Sequence, residues 1–178
     1  MTSARSGLTF KPKIREKTWN PKMEPSLFEK WQSEGIFKFD EKSGKPLFSI
    51  DTPPPYVNTP VHIGQAYTYT WMDMFARFRR IAGFNILFPM GLDKNGLPVE
   101  VQTEKTFNIS MHETPREEFI EKCEQILKES GDISLDTFKK LGLSCNAWNV
   151  EHKIGGRYET DDPEYRRLTQ ETFIELWK

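Results

Sequence analysis

Thr52-Pro53-Pro54-Pro55-Tyr56-Val57-Asn58-Thr59-Pro60-Val61-His62-Ile63-Gly64-Gln65 is the stretch that decides how this chain is read. A short apolar run, Leu47-Phe48-Ser49-Ile50, leads into it, and a helical pattern from Gln65 to Ala82 leads out. The order strand, loop, helix N-terminus turns backbone N–H groups and the positive end of a helix dipole toward one point, where a phosphate is well held. The prolines fix φ and remove donors, so the loop is stiff. Gly64, at the helix mouth, lets a ligand come close to the backbone. His62, just before it, can donate to a phosphate or to the oxygen of a leaving group.

A second block follows the helix: Gly83-Phe84-Asn85-Ile86-Leu87-Phe88-Pro89-Met90-Gly91-Leu92-Asp93-Lys94-Asn95-Gly96-Leu97-Pro98-Val99-Glu100. Phe84 to Phe88 reads as a strand, with Gly83 closing the helix before it. Strand, helix, strand at this spacing is a βαβ unit, hence a parallel sheet with a right-handed crossover. The two blocks together resemble the class I aminoacyl-tRNA synthetases. His62-Ile63-Gly64-Gln65 is similar to the His-Ile-Gly-His signature and departs from it at Gln65. The Gly91 to Glu100 stretch resembles the G-x-D-x-x-G-L-P-x-E block of the valyl, isoleucyl and leucyl members. The triple proline with Tyr56-Val57-Asn58, and the Asp93-Lys94-Asn95-Gly96 loop, look most like an archaeal-type valyl-tRNA synthetase. The resemblance covers roughly residues 20–178.

Size and composition fit that resemblance. The 178 residues suffice for one domain with a real core. Hydrophobic residues make up 37% and charged residues 29%, the balance of a soluble globular chain. The net charge of −1 gives no general pull on nucleic acid, so any RNA contact must rest on a local patch or another domain. No apolar run approaches the ~20 residues of a membrane helix, and the polar start Met1-Thr2-Ser3-Ala4-Arg5-Ser6-Gly7 lacks an apolar signal core. Cys123 and Cys145 have no metal-type spacing and read as reduced thiols of a cytoplasmic protein. His62, His112 and His152 make no zinc pattern.

Along the chain, residues 1–20 read as a mobile arm, and Pro25 to Gln32 as a short helix ended by Gly35. Leu47 to Asp51 reads as a buried strand. The helix 65–82 places Ala66, Tyr69, Met72 or Asp73, Ala76 and Ile81 near one stripe. Its aromatics Tyr67, Tyr69, Trp71, Phe75 and Phe78 read mostly as packing, and Arg77, Arg79 and Arg80 as a solvated helix end. A helix follows Pro98 to about Phe107. Thr114 suits an N-cap, with Glu117 in capping-box position, for a helix to about Ser130. Gly131 interrupts it before another helix to Leu141. Glu117, Glu118, Glu121 and Glu124 read as an exposed face. Residues 143–160 read as loop with a possible short strand, and Thr160 or Asp161 as the cap of a last helix through Trp177.

The fold expected is therefore α/β, the N-terminal half of a Rossmann-type parallel-sheet nucleotide-binding domain with helical extensions. Residues 1–45 form an arm and short helix, and 46–178 the first half of the catalytic domain, cut before the family's editing insertion. The resemblance implies activation of valine with ATP to valyl-adenylate and transfer to tRNA(Val), with the fragment inactive alone. It places His62, Gly64 and Gln65 at the ATP phosphates, with His62 and Gln65 in catalytic positions. Gln65 keeps a neutral donor and cannot become cationic. Asp93 would pair with the amino acid's α-ammonium group, and Pro54 and Pro55 would wall its aliphatic side chain. Gly91 and Gly96 give the loop room. The partners implied are ATP, valine and tRNA, the last through domains outside this chain, with Mg2+ accompanying ATP and no resident metal site. The Lys-Met-Ser-Lys-Ser loop of the family is absent from the sequence. Three alternatives stay open: an isoleucyl or leucyl member, a non-catalytic nucleotide-binding module, and a small nucleotidyltransferase, which also uses H-x-G-H. The Gly91 to Glu100 block speaks against the last.

Overall fold

The computed structural model describes residues 17–146, 148 and 154–178. His152 and most of the N-terminal arm lie outside them. A 3-10 turn (Pro21–Met23), with Asn20 as its side-chain cap, leads into helix α1 (Glu24–Ser33). Then come β1 (Leu47–Ser49), α2 (Ile63–Ile81), β2 (Asn85–Leu87), β3 (Met90–Leu92), α3 (Leu97–Phe107), α4 (Arg116–Lys140), β4 (Arg157–Glu159) and α5 (Pro163–Trp177).

The expected βαβ unit is present. β1 and β2 pair in parallel with Phe48 opposite Ile86, and α2 makes the crossover. β3 follows β2 after a break at Phe88-Pro89, where proline has no N–H to continue a ladder. It pairs in parallel with β4, Gly91 opposite Tyr158. On the other edge of this strand line, the Asp93 N–H donates to the Pro55 carbonyl at 2.8 Å, and the Val57 N–H donates to the Asp93 carbonyl at 3.2 Å. The proline loop is thus held as an extra strand against the end of β3, with a single bridge from Tyr56 to Asp93.

One core cluster joins Ile50, Tyr69, Ala76, Ile86, Phe88, Met90, Phe138 and Leu143. A second joins Val57, Leu92, Val99 and Leu127. α4 spans both, contributing Leu127 to one and Phe138 to the other. This explains why Gly131 does not interrupt it. Gly131 is buried against β3, where an added Cβ would meet Leu92 Cδ1 at 3.9 Å. Packing on both sides outweighs the ~1 kcal/mol helix penalty of one glycine.

Other local expectations are corrected. β1 is not a buried strand: Leu47 is 58% exposed, and among the described residues β1 pairs only with β2. Thr114 makes no capping bond. Pro115 stands at the N-cap of α4, and its carbonyl accepts the Phe119 N–H. The last helix is capped by Asp162, whose Oδ1 accepts the Glu164 N–H at 2.9 Å. On α2, Tyr69, Asp73 and Ala76 are buried as the stripe requires, but Ile81 at the helix end is exposed. Of the α2 aromatics only Tyr69 is in the core; Trp71, Phe75 and Phe78 are all more than half exposed. Glu117, Glu118, Glu121 and Glu124 do form an exposed face.

The arginines are not a solvated end. Asp73 is buried, and its Oδ2 accepts from Arg77 Nε at 2.6 Å. Its Oδ1 accepts from the Ser144 N–H at 2.6 Å and the Ser144 hydroxyl at 2.5 Å. Arg80 donates to Ser144 Oγ at 2.9 Å and to the Ser144 carbonyl at 3.0 Å, while Arg77 also donates to the Gly142 carbonyl. Burial lowers the affinity of Arg80 for its proton, and Asp73 acts in the opposite sense. Arg79 lies over the rings of Phe48 and Phe84. This polar knot fastens α2 to the segment after α4.

Candidate functional site

His62 is the N-cap of α2. Its Nδ1 accepts the Gln65 N–H at 3.3 Å, and Gln65 Oε1 accepts the His62 N–H at 3.1 Å. This is a reciprocal capping box, with histidine in the place of the usual serine or threonine. Two orphan helix donors are satisfied by two side chains. The bond also fixes the tautomer. Nδ1 serves as an acceptor, so in the neutral ring the proton sits on Nε2, free to donate outward. Gly64 belongs to the same cap, since a Cβ there would come within 3.1 Å of the His62 ring. Gln65, which departs from the signature, therefore has a structural part here: its side chain holds the His62 backbone. His62 and Gly64 are exposed to solvent.

Asp93 stands at the carboxyl end of β3, where ligands collect in open parallel sheets. Its Oδ1 accepts the Asn95 N–H at 3.1 Å and the Thr160 hydroxyl at 3.1 Å. Among the described residues, its Oδ2 accepts nothing. Lys94, next along, pairs with Glu159 and reaches Asp161 at 3.8 Å. The 93–96 loop is thus fastened to the end of β4, and Gly96, at φ +95, turns it into α3. The proline loop closes the other side. Tyr69 Oη donates to the Pro53 carbonyl at 2.7 Å. Pro55 is buried with its carbonyl tied to Asp93, while Pro54 is half-buried.

The expected residues therefore fall into two groups, one at each end of the proline loop. His62, Gly64 and Gln65 make the cap of α2, and Pro55 and Asp93 are joined through the backbone. No hydrogen bond joins the two groups among the described residues.

Two residues were not read as site residues. Thr160, read as a helix cap, instead bonds to Asp93. Tyr158 lies across Gly91, so close that a Cβ there would sit 2.3 Å from its ring. Gly91 is thus a strand residue that makes room for a ring, not a loop residue. Tyr158 also stacks on Tyr165, with centroids 6.0 Å apart. Burial raises the pKa of the Tyr158 phenol, as do Tyr165, Asp51 and Asp93, so it keeps its proton at neutral pH. No local pattern marks either residue, because Gly91 and Asp93, which they meet at the site, lie more than 60 positions away.

A cleft of about 520 Å³ lies between α1 and the end of α4, lined by Phe28, Trp31, Arg77 and Lys139 among others. None of the signature residues lines it. Among the described residues no group of three His, Cys, Asp or Glu side chains could hold a metal, and no helix is long and apolar enough to cross a membrane.

Comparison with known proteins bears on the family and the fold. A valine–tRNA ligase from Pyrobaculum aerophilum is 45% identical over 89% of this chain. Those from Methanocaldococcus jannaschii and Aeropyrum pernix are 40% and 38% identical over 91% and 97% of it. The chain spans only about a fifth of the length of these relatives: 19%, 18% and 21%. In fold it is similar to the LeuRS of Agrobacterium radiobacter K84, solved as a ternary complex with tRNA and LeuAMS. The TM-score is 0.69 at 23% identity, over 86% of this chain and 17% of that one. The family model for tRNA synthetases class I (I, L, M and V) matches residues 26–178, and the chain belongs to that family.

Proposed function

We propose that this chain supplies the first part of the catalytic domain of a valine–tRNA ligase, which joins valine to ATP as valyl-adenylate and passes the valyl group to tRNA(Val). The observation that carries the reading is Asp93: a carboxylate at a strand's carboxyl end, one oxygen braced and the other left for a ligand. An α-ammonium group suits that second oxygen by charge and size. Valine is favoured over isoleucine or leucine by the relatives, valine–tRNA ligases that are 34–45% identical.

In this reading the valine carboxylate attacks the α-phosphate of ATP in line, and pyrophosphate leaves. The protein's part is placement and charge stabilisation. Asp93 holds the ammonium group. Pro54 and Pro55 flank the side chain as a rigid wall that selects by shape. His62 presents Nε2–H and Gly64 an open backbone to the phosphates at the positive end of α2. Gln65 keeps His62 in place, and its amide NH2 remains available to the phosphates. Magnesium enters with the ATP phosphates. The tRNA is held mainly by domains outside these residues, and the setting is the cytoplasm. Residues 1–178 alone do not charge tRNA, since transition-state stabilisation needs both halves of the site around one phosphate.

The test is amino-acid-dependent pyrophosphate exchange by the full-length protein with valine, isoleucine and leucine in turn. Exchange driven best by valine is expected. Preference for isoleucine or leucine moves the protein to another branch, and no exchange with any of them favours a non-catalytic nucleotide-binding module.

A further inference from the structure

We infer that Thr160 is a positioning residue for amino-acid recognition, whose hydroxyl aims the Asp93 carboxylate at its ligand; this rests on the reading of Asp93 just given. Thr160 is 8% exposed and directly follows β4. Its backbone N–H donates to the Leu92 carbonyl at 3.1 Å, so it is clamped beside the strand that carries Asp93. Its hydroxyl has three partners. The Lys94 N–H donates to it at 3.0 Å, and Asn95 Nδ2 donates to it at 2.9 Å. The third is Asp93 Oδ1, at 3.1 Å.

A hydroxyl carries one proton and accepts two bonds. Both nitrogens are donors and fill its acceptor sites. The single proton therefore has one place to go, Asp93 Oδ1. The Asn95 N–H is the second donor to that same oxygen, at 3.1 Å. Two donors on Oδ1 fix the rotation of the carboxylate. Oδ2 is then the oxygen turned to the ligand. The Asn95 side chain also donates to the Thr160 carbonyl at 3.0 Å, so Asn95 and Thr160 act as one clip.

This differs from a role in folding alone. Lys94–Glu159 and the β3–β4 ladder already join the two segments. What the hydroxyl adds is direction at one carboxylate. A carboxylate free to turn pairs less well with an ammonium group, because the positioning must then be done during binding.

The experiment is pyrophosphate exchange by the full-length protein, with the KM for valine and for ATP measured separately in Thr160→Val, Thr160→Ser and Asp93→Asn. Thr160→Val keeps the shape and removes the hydroxyl. It is expected to raise the valine KM about tenfold, the loss of one hydrogen bond to a charged group, with the ATP KM within about twofold. Thr160→Ser restores the donor and should recover most of the loss. Three results overturn the inference: Ser and Val behaving alike, equal rises in both KM values, or a valine KM unmoved by Thr160→Val while Asp93→Asn raises it. In the last case the reading of Asp93 survives. If Asp93→Asn itself leaves the valine KM unchanged, that reading fails and the inference with it.

Discussion

Two aspartates, twenty residues apart, separate the part of this molecule that holds itself together from the part left open to a ligand. Asp73 lies in the middle of α2, 6% exposed, and both its oxygens are taken by the protein: Oδ1 by Ser144, Oδ2 by Arg77. Asp93 lies at the end of β3 with Oδ1 taken by Asn95 and Thr160 and Oδ2 unused among the described residues. A carboxylate whose lone pairs are all spent inside the chain is a fastening. One with an oxygen to spare, at the carboxyl end of a parallel strand, is where the proposed function seats the substrate's ammonium group. The same contrast runs along α2. Its first turn is solvent-exposed and capped by His62 and Gln65, and its later turns are tied by the arginine knot.

The comparison predicts that substitutions at the open end act on rate and those at the closed end on stability. The largest effect is expected from His62→Ala in the full-length protein. Loss of the Nε2–H donor should slow valine-dependent pyrophosphate exchange by about 100–1000-fold. The lost cap should cost only about 1 kcal/mol in stability, read from the urea midpoint. An unchanged exchange rate removes His62 from the site. Asp73→Ala should do the reverse. It leaves Arg77 Nε and the Ser144 N–H and hydroxyl without their acceptor, and about 3 kcal/mol of stability should be lost. The KM for valine should stay put at temperatures where the protein remains folded. A KM that rises before the protein melts would blur the distinction.

Gly91 sharpens the boundary between the two regions. Gly91→Ala drives a methyl group into the Tyr158 ring, which is itself stacked on Tyr165. We expect a loss of about 1–3 kcal/mol from overpacking. The double variant Gly91→Ala/Tyr158→Ala should be less damaging than the sum of the two, by about 1 kcal/mol, because the clash is shared. Strict additivity would mean that the strand shifts and the ring does not matter. The smallest effect is assigned to Gln65→Ala, which removes half of the capping box and should cost roughly 0.5–1 kcal/mol. Gln65→Glu keeps the acceptor and should retain the stability that Gln65→Ala loses.

What the sequence disclosed follows from how local each signal is. The proline loop, the glycine after His62 and the Gly91 to Glu100 block are contiguous, so the βαβ unit and the positions of His62 and Asp93 were readable in order. Chemistry spread across the chain was hidden. Arg80 meets Ser144, 64 positions on, and Thr160 meets Asp93, 67 positions away. Neither pair has a spacing that a local pattern records. Thr160 was misplaced because threonine before Asp-Asp-Pro is good capping chemistry, and Asp162 took that task instead. Gly131 was misread for the opposite reason: a local helix breaker is overruled where the helix is packed into the core both before and after it, by Leu127 and by Phe138. Gln65 was read from its departure from a motif. Its capping bond to His62 needs only the spacing i, i+3, and was open to the sequence all along.

The most direct test is the valine KM of Asp93→Asn in the full-length protein, with the ATP KM and the unfolding midpoint measured on the same preparation. Asparagine keeps the shape and the acceptor for Thr160 and removes the charge. The account predicts a rise in the valine KM by roughly thirtyfold or more, the ~2–5 kcal/mol of a charge pair that has lost one partner. The ATP KM and the midpoint should barely move. An unchanged valine KM, or equal rises for valine and ATP, would make Asp93 a second Asp73, a fastening of the loop rather than the site of the ligand.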